Sequence, residues 1–348
     1  MSRIHSIPIF SRVIRWMVHG SMLLPAPLFC ANGWASDAWL NALFTRDSLR
    51  WRIPHPNEKS DFHIKGDSIL SELKWQPLRG VGLEGGIRMP LGHPKALFIA
   101  QGQITAIYAG HGRDSDWAGP NFSLEYSRSI SQARGWTATG QAMLGWRFGP
   151  ASCSFSPLVG LDGAFIRLRE KGLRQLFGLE YDELWAYADE EGVLSMIRGE
   201  IEAYVHFKEG DPERAVGAYD VNWLGALLGA EIMVQPSASL RLQLLGWGSL
   251  GHYDADADWI LRECYQHPRS FAHNAKTTTW DVEGGIYWQI TSRLGLNLRG
   301  GARQAWASEG CERIFLVDED GTPSEMPNRF SDLDWKRIWA SIGLLVVW

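Results

Sequence analysis

The chain has 348 residues, of which 45% are hydrophobic and 21% are charged, and its formal net charge is −5. This composition excludes a disordered chain, which would contain too few apolar residues to bury a core. After residue 35 no apolar run approaches the ~20 residues of a spanning helix, which argues against a helical membrane protein. The 18 Trp and 37 Gly residues are more than a soluble core needs, so they require another explanation.

The N-terminal segment has the features of a signal peptide. Three basic residues and no acidic ones precede an apolar stretch over residues 22–31. Small residues, Gly33 and Ala35, then occupy the −3 and −1 positions of a cleavage site near Ala35. We therefore predict a signal peptide over residues 1–35 and one mature domain over residues 36–348. The mature chain keeps 31 of the 34 basic side chains and all 39 acidic ones, a net charge of −8. Such a surface does not favour nucleic acid as a partner.

The mature chain alternates apolar and polar residues with a period of two. Residues 95–110, 280–290 and 294–303 each place apolar side chains on one face and polar or charged ones on the other. Such patterns are typical of half-buried β-strands. Aromatic residues near the ends of the apolar faces, and charges of both signs in the middle of the opposite faces, favour a membrane barrel with a polar lumen over a soluble sandwich.

The predicted connections alternate between short and long. Short turns are predicted at residues 92–94, 149–150, 235–237 and 291–292, and long loops near residues 57–66, 110–121, 172–213, 250–275 and 309–332. Short periplasmic turns and long external loops are the arrangement of an outer-membrane barrel. A turn at 291–292 also predicts that Glu283 lies near Arg299 and Asp281 near Arg303.

The C-terminal strand gives an independent signal. Its apolar stripe ends on Trp348, and the spacing Ser341-x-Gly343-x-x-Val346-x-Trp348 resembles the terminal strand of bacterial outer-membrane barrels. A closed barrel satisfies every backbone polar group in lipid. We therefore predict an all-β fold: a transmembrane antiparallel up-and-down β-barrel of about ten strands with long extracellular loops, located in the bacterial outer membrane.

Several segments resemble the omptin family, which are ten-stranded outer-membrane endopeptidases. Residues 71–75 resemble the family's second strand, and residues 219–225 its sixth strand. Asp114-Ser115-Asp116-Trp117 resembles its first catalytic element. Residues 246–254, which include His252-Tyr253-Asp254, resemble the outer end of the seventh strand with its catalytic His. The similarity spans most of the mature chain at low identity.

The resemblance implies an aspartic-type endopeptidase that activates water between an Asp pair and a His. Asp114 and Asp116 would hold the water, and His252 would take its proton. Asp254 would orient His252, and Glu58 would match an acid of the first loop that binds substrate. No cofactor or metal is implied, but lipopolysaccharide is a candidate requirement. Outer-membrane lipid, lipopolysaccharide and a peptide or protein substrate are the expected partners.

The sequence also departs from the omptin pattern. Leu250 stands where the family has an acid two residues before the catalytic His. The family's lipopolysaccharide motif is matched only in charge, by Arg167 and Arg169. Because of these departures, the alternative function is a non-catalytic barrel, either an adhesin or a structural protein that presents its loops.

Strand parity raises a second difficulty for the peptidase hypothesis. Extension of the 95–110 strand places Asp114 and Asp116 toward lipid, unless a bulge near Gly110 or Gly112 turns them inward. The alternative for this acidic pair is solvation, or the binding of divalent cations that bridge lipopolysaccharide. The Asp-Ala-Asp-Ala-Asp run over residues 254–258 resembles a cation-binding run but lacks the Gly and the distal Glu of a calcium loop.

Two further expectations concern the pore and the cysteines. A channel is disfavoured because about ten strands leave little room for an aqueous pore. Cys264 and Cys311 fall in the last two predicted external loops, so a disulfide between them is a hypothesis. Cys153 lies beside a periplasmic turn and is expected to stay unpaired.

Overall fold

The computed structural model describes residues 36–54, 69–118, 124–178, 214–307, 309–318, 320–330 and 332–348. These residues form strands and turns. None of the segments described contains a helix long and apolar enough to cross a membrane.

Thirteen antiparallel strands make up one sheet in the described part of the chain. Their bounds are β1 Asp37–Pro54, β2 Ile69–Leu91, β3 His93–Ala109, β4 His111–Ala118, β5 Leu124–Trp146, β6 Cys153–Gly178, β7 Ala215–Ser237, β8 Leu240–Asp258, β9 Phe271–Gln289, β10 Leu294–Ala307, β11 Gly310–Val317, β12 Pro323–Phe330 and β13 Asp332–Val347.

The sheet closes into a barrel with ten strand positions. Sequence neighbours pair in order from β1 to β10, with β3 and β4 together supplying the third position. Strand β13 pairs with both β10 and β1, which closes the ring. Strands β11 and β12 form a hairpin that extends the outer part of β9. Each of the ten strands of the ring pairs on both sides over the described residues, and the predicted fold class is confirmed.

The strands are longer than a membrane requires. Strand β6 has 26 residues, whereas about 9–11 residues of a tilted strand cross the hydrocarbon. The barrel therefore extends beyond the membrane on the side opposite the short turns. Four of the predicted long loops are wrong in extent for this reason. One is the loop over residues 172–213, because β6 continues to Gly178. Strand β4 fills most of residues 110–121, β8 continues to Asp258 and β9 begins at Phe271, and the β11–β12 hairpin fills residues 309–332.

An uncharged outer belt marks the membrane. The outward residues of β6 from Phe155 to Phe165 carry no charge, and the next outward residue is Arg167. This span of about 11 residues matches the hydrocarbon thickness. Exposed aromatic side chains near the periplasmic turns, including Trp146, Trp288 and Trp348, form an interface girdle, which accounts for part of the high Trp content.

Paired charges fill the lumen. Arg299 donates to Glu84 and, at 2.6 Å, to Glu283. This confirms the predicted proximity of Glu283 and Arg299, and Asp281 lies directly opposite Arg303 in the ladder, as predicted. A space of about 10 Å³ lies among these side chains, enough for roughly one water.

Candidate functional site

A bulge between β3 and β4 turns the Asp pair toward the barrel interior. In β3, Ile107 faces inward, whereas from Gly110 onward the even-numbered residues do so. The ladder between β2 and β3 is shifted at the same level. Asp114 and Asp116 therefore face the interior, so the bulge that the peptidase hypothesis required is present.

A cavity of about 340 Å³ lies at the outer end of the barrel, beside Asp114. Strands β2, β4, β5, β6 and β7 contribute to its wall, together with residues 259–264 after β8. The volume is typical of a small-molecule site. Its apolar and aromatic lining residues are Leu73, Leu173, Val216, Tyr219, Trp259 and Leu261, and its charged ones are Arg113, Asp114, Glu170, Arg262 and Glu263.

An aromatic cluster fills the barrel on the inner side of this cavity. The rings of Trp51, Trp75 and Tyr219 pack edge to face, with centroids 4.6 to 5.3 Å apart. The ring of His273 packs on Trp51 at 4.6 Å. Edge-to-face packing of this kind stabilises beyond simple burial, by about 0.5–1.5 kcal/mol for each pair. The cavity is therefore separated from the lumen below.

Glu170 is the most buried acid of the cavity lining. Trp75 Nε1 and the Ser131 hydroxyl donate hydrogen bonds to its carboxylate. In the part of the chain that the structure describes, no basic side chain forms a salt bridge with it. Burial raises the pKa of Glu170 to about 7, the two hydrogen bonds oppose this rise, and the charge of Asp114 adds to it. The carboxyl group is therefore close to half-ionised at neutral pH.

Asp114 is held at the edge of the same cavity. The Ser71 hydroxyl donates to Asp114 Oδ1 at 3.4 Å. The neighbouring Arg113 lies on the other side of β4, where its guanidinium donates to Glu72 at 2.8 Å. Burial opposes ionisation of Glu72, but hydrogen bonds and charges from Arg52 and Arg113 outweigh it and lower the pKa of Glu72. The charge of Arg113 is thus directed toward Glu72.

Aromatic packing fixes the segment over residues 259–264. The backbone N–H of Trp259 donates to Ser270 Oγ at 2.9 Å, and its ring packs on Phe271 with centroids 4.9 Å apart. The guanidinium of Arg262 lies 4.6 Å from the centre of the Trp259 ring, a cation–π contact. This segment is therefore a structured wall of the cavity.

His252 and Asp254 lie on the outer surface of the barrel. Strand β8 alternates without a register shift against β7 from Asp258 down to Leu242, so that Tyr253 faces the interior and its two neighbours face outward. The side chain of His252 is 49% exposed. The amide nitrogen of Asn274 donates to Nε2 of His252 at 2.7 Å and to Oδ1 of Asp254 at 2.8 Å.

The structure therefore does not bring the four predicted catalytic residues together. Asp114 and Asp116 face the inside of the wall, whereas His252 and Asp254 face its outside. The physical reason is the parity of β8, which has no bulge comparable to the one beside Gly110. Within the segments described, no group of three or more His, Cys, Asp or Glu side chains is arranged to hold a metal ion.

One known protein family matches nearly the whole described barrel. Residues 40–347 match the family model described as Pom, Protochlamydia outer membrane protein. The chain belongs to this family. Its location in the bacterial outer membrane follows from the family and the fold. No curated protein matches the sequence.

Solved structures match this Pom-family barrel in fold. The outer membrane protease OmpT from Escherichia coli matches with a TM-score of 0.70 and 12% identity, over 90% of this chain and 97% of that chain. The P. putida toluene transporter TodX matches with a TM-score of 0.31 and 9% identity, over 91% of each chain. Ail, the attachment invasion locus protein of Yersinia pestis, matches with a TM-score of 0.25 and 7% identity, over 90% of this chain and 99% of that chain. The likeness to OmpT concerns the fold alone.

Two further positions of this Pom-family chain, Glu58 and Leu250, were compared with the omptin pattern. Glu58 lies outside the described residues, as does the predicted signal peptide. Leu250 faces outward on β8 and is 73% exposed, so it belongs to the lipid-facing surface.

The predicted disulfide is not formed. Cys264 and Cys311 are not joined by a disulfide in the structure, and Cys153 is exposed. Cys264 lines the cavity, whereas Cys311 alternates with the inward-facing Glu312 and therefore points outward. Two cysteines on the same side of the membrane need not form a disulfide, because successive side chains along a strand point to opposite faces of the barrel wall.

Glu170 is a site residue that was not predicted from the sequence. The inward positions before it on β6 are apolar: Ala164, Ile166 and Leu168 are all fully buried. An acid that continues an apolar face at the same parity is a signal that the sequence does contain.

Proposed function

We propose that this Pom-family protein is a non-catalytic outer-membrane barrel that binds a small ligand in the cavity at its outer end. One observation carries the proposal. The inward-facing Asp114 lies on a largely apolar cavity wall with Glu170, whereas the His expected to act with it faces the outside of the barrel.

The position of His252 supports the non-catalytic proposal. A base must lie within hydrogen-bond reach of the proton that it takes, either directly or through one water. The barrel wall separates His252 from Asp114, and a change of side would require a bulge in β8. The likeness in fold to OmpT supports a shared architecture and leaves activity to be argued from the site.

A peptidase assay tests the non-catalytic part of the proposal. Purified full-length protein, refolded with lipopolysaccharide, is incubated with a fluorogenic peptide that contains basic residues. We expect no turnover by the wild type above that of the Asp114→Ala and His252→Ala variants. Turnover that both substitutions abolish would overturn the proposal and restore the omptin-type mechanism.

A cavity-filling pair of variants tests the binding part. Leu173 lines the cavity, while Leu176 lies on the opposite face of the same strand. Phenethyl alcohol, a small neutral aromatic probe, is titrated into the refolded barrel by calorimetry. We expect wild-type and Leu176→Trp proteins to bind it and Leu173→Trp to lose binding by roughly tenfold or more, because the indole occupies the cavity. Equal binding by both variants would place the probe elsewhere.

We also propose that the outer surface of the barrel binds anionic lipid headgroups. Arg167 and Arg169 project outward just above the uncharged belt of β6, and both contact Asp220 at 2.6 and 3.1 Å. Guanidinium groups at this level suit phosphate groups such as those of lipopolysaccharide. We expect an Arg167→Ala, Arg169→Ala double variant to bind lipopolysaccharide micelles more weakly than wild type, as measured by co-sedimentation. Unchanged co-sedimentation would exclude this role.

A further inference from the structure

We infer that the ligand of the outer cavity is an organic cation: a protonated amine or guanidine carried on an apolar or aromatic body. The inference rests on the proposed binding function and specifies the chemical class of the ligand. It is drawn from the acids, the aromatic rings and the free space that surround Glu170.

The acids give the cavity its preference for positive charge. Glu170 is buried with hydrogen bonds from Trp75 and Ser131, and Asp114 is close enough for its charge to disfavour the ionised form of Glu170. A buried carboxylate that receives only neutral donors is costly to ionise, and a cation beside it removes that cost. A bound cation therefore supplies what the described residues around Glu170 do not.

The basic residues of the cavity wall are directed elsewhere. Arg113 donates to Glu72 on the far side of β4. Arg262 lies over the Trp259 ring and donates to the Tyr265 hydroxyl at 3.5 Å. The described groups that act on Glu170 itself are Trp75 from β2, Asp114 from β4 and Ser131 from β5, and none of them is cationic.

The remaining lining suits the body of such a ligand. Tyr219 and Trp259 present aromatic surface, and Leu173 and Val216 present aliphatic surface. Aromatic faces attract organic cations, and apolar walls bury the groups that the cation carries. The volume of about 340 Å³ suits a compact ligand and excludes a folded polypeptide segment.

Two glycines keep the carboxylate within reach. A Cβ atom at Gly217 would lie 3.2 Å from Glu170 Oε2, and one at Gly112 would overlap Oε1. Because both positions lack a side chain, the carboxylate packs directly on the strand backbones. Gly112 itself lines the cavity, so the carboxylate lies next to the cavity surface.

The experiment compares three probes of similar size on the full-length, refolded barrel. Phenethylamine is cationic, phenethyl alcohol is neutral and 3-phenylpropionate is anionic at about pH 8. Calorimetry is expected to show phenethylamine binding roughly tenfold more tightly than the alcohol, with the anion weakest. The Glu170→Gln variant should lose this preference for the amine over the alcohol. Glu325→Gln, an exposed acid of the β11–β12 hairpin, is the matched control and should behave as wild type.

A second measurement does not depend on the folding of the Glu170 variant. In the wild type, phenethylamine affinity should rise as the pH increases from about 6 to about 8, because Glu170 becomes ionised over this range. The affinity for the alcohol should stay constant.

Each outcome bears on the inference. Equal wild-type affinity for amine and alcohol would overturn the cationic class and leave the binding function intact. A preference for the amine that survives both Glu170→Gln and Asp114→Asn would overturn the assignment to this cavity. Failure of the wild type to bind any of the three probes would overturn the binding function together with the inference.

Discussion

Arg299 lies between two acids in the middle of the barrel. Its guanidinium contacts Glu84 and Glu283, and all three side chains are almost completely buried. Removing one partner of a buried ion group leaves uncompensated charge, which costs more than the pair itself contributes. Charged lumen residues of this kind therefore stabilise the barrel only as complete sets.

We expect Arg299→Met to lower the free energy of unfolding by about 3–5 kcal/mol, because Glu84 and Glu283 lose their cation. Urea unfolding of the protein refolded into vesicles measures the change. The matched control is Arg313→Met, whose partner Glu325 is about half exposed. A surface pair of that kind contributes at most about 1 kcal/mol. Equal losses in the two variants would contradict a special role for the lumen charges.

Glu170 predicts a pH dependence of stability. Its folded pKa of about 7 lies above the ordinary Glu value, so the folded state binds more protons than the unfolded state between about pH 4.5 and 7. Its contribution to stability is therefore present at low pH and is lost as pH rises through 7. The loss has an upper bound of about 3 kcal/mol.

Glu170→Gln should remove this dependence. We expect the urea midpoint of the variant to fall less than that of the wild type between about pH 5.5 and pH 8. Glu325→Gln should follow the wild-type curve, because its carboxylate is exposed on the β11–β12 hairpin. Parallel curves for wild type and Glu170→Gln would show that Glu170 titrates in the folded protein as it does in the unfolded chain.

At the scale of single strands, bulges decide which residues reach the interior. The shift between β3 and β4 brings Asp114 into the cavity, and the regular ladder of β8 leaves His252 outside. A change of one residue in register reverses every later side chain. Two motifs that a catalytic site would need on the same side can therefore end on opposite faces of the barrel wall.

The uncharged belt makes a prediction for strand β7. Its outward residues from Leu224 to Ile232 are apolar, and Leu228 lies at the midpoint. We expect Leu228→Lys to lower the free energy of unfolding in vesicles by about 2–4 kcal/mol, because the ammonium group would lie in hydrocarbon. Ala218→Lys changes the same outward face of the same strand above the belt and should cost about 0–1 kcal/mol. A larger loss for Ala218→Lys than for Leu228→Lys would contradict this placement of the membrane on β7.

At the scale of the whole molecule, the barrel is closed across its lumen. The aromatic cluster of Trp51, Trp75 and Tyr219 lies above the layer of paired charges around Arg299. A barrel of about this size has an interior that side chains can fill. The structure thus favours a solid barrel with the candidate site at its outer end.

Planar bilayer recordings test this closure. We expect the purified wild-type barrel to give no steady single-channel conductance, because the space between the lumen charges holds roughly one water. A porin inserted under the same conditions provides the positive control. A stable open channel from the wild type would mean that the lumen side chains leave a continuous path.

Much of the fold could be predicted from local patterns. Alternation predicted the strands over residues 95–110 and 280–290, and the turn at 291–292 predicted the contact between Glu283 and Arg299. The outer parts of the strands were missed because their outward residues are polar above the membrane. The outward side chains of residues 252–258 are polar, so this segment has the composition of a loop although it pairs as strand.

The candidate site was only partly predictable. Asp114 was found from its motif, and the need for a bulge followed from parity. Glu170 and Trp259 were not found, because nothing local links them to Asp114. They meet because β4, β6 and the segment after β8 converge at the outer end of the closed barrel.

The sequence by itself determined the class of the molecule, because a period of two fixes which side of a strand each residue occupies. Only the tertiary structure decided which inward residues meet. Arg299 and Glu84 are 215 residues apart in the chain, and their contact depends on ring closure and on the register of every strand between them. The structure likewise decided that Asp114 and His252 lie on opposite sides of the wall, because it has a register shift before β4 and none along β8 at His252.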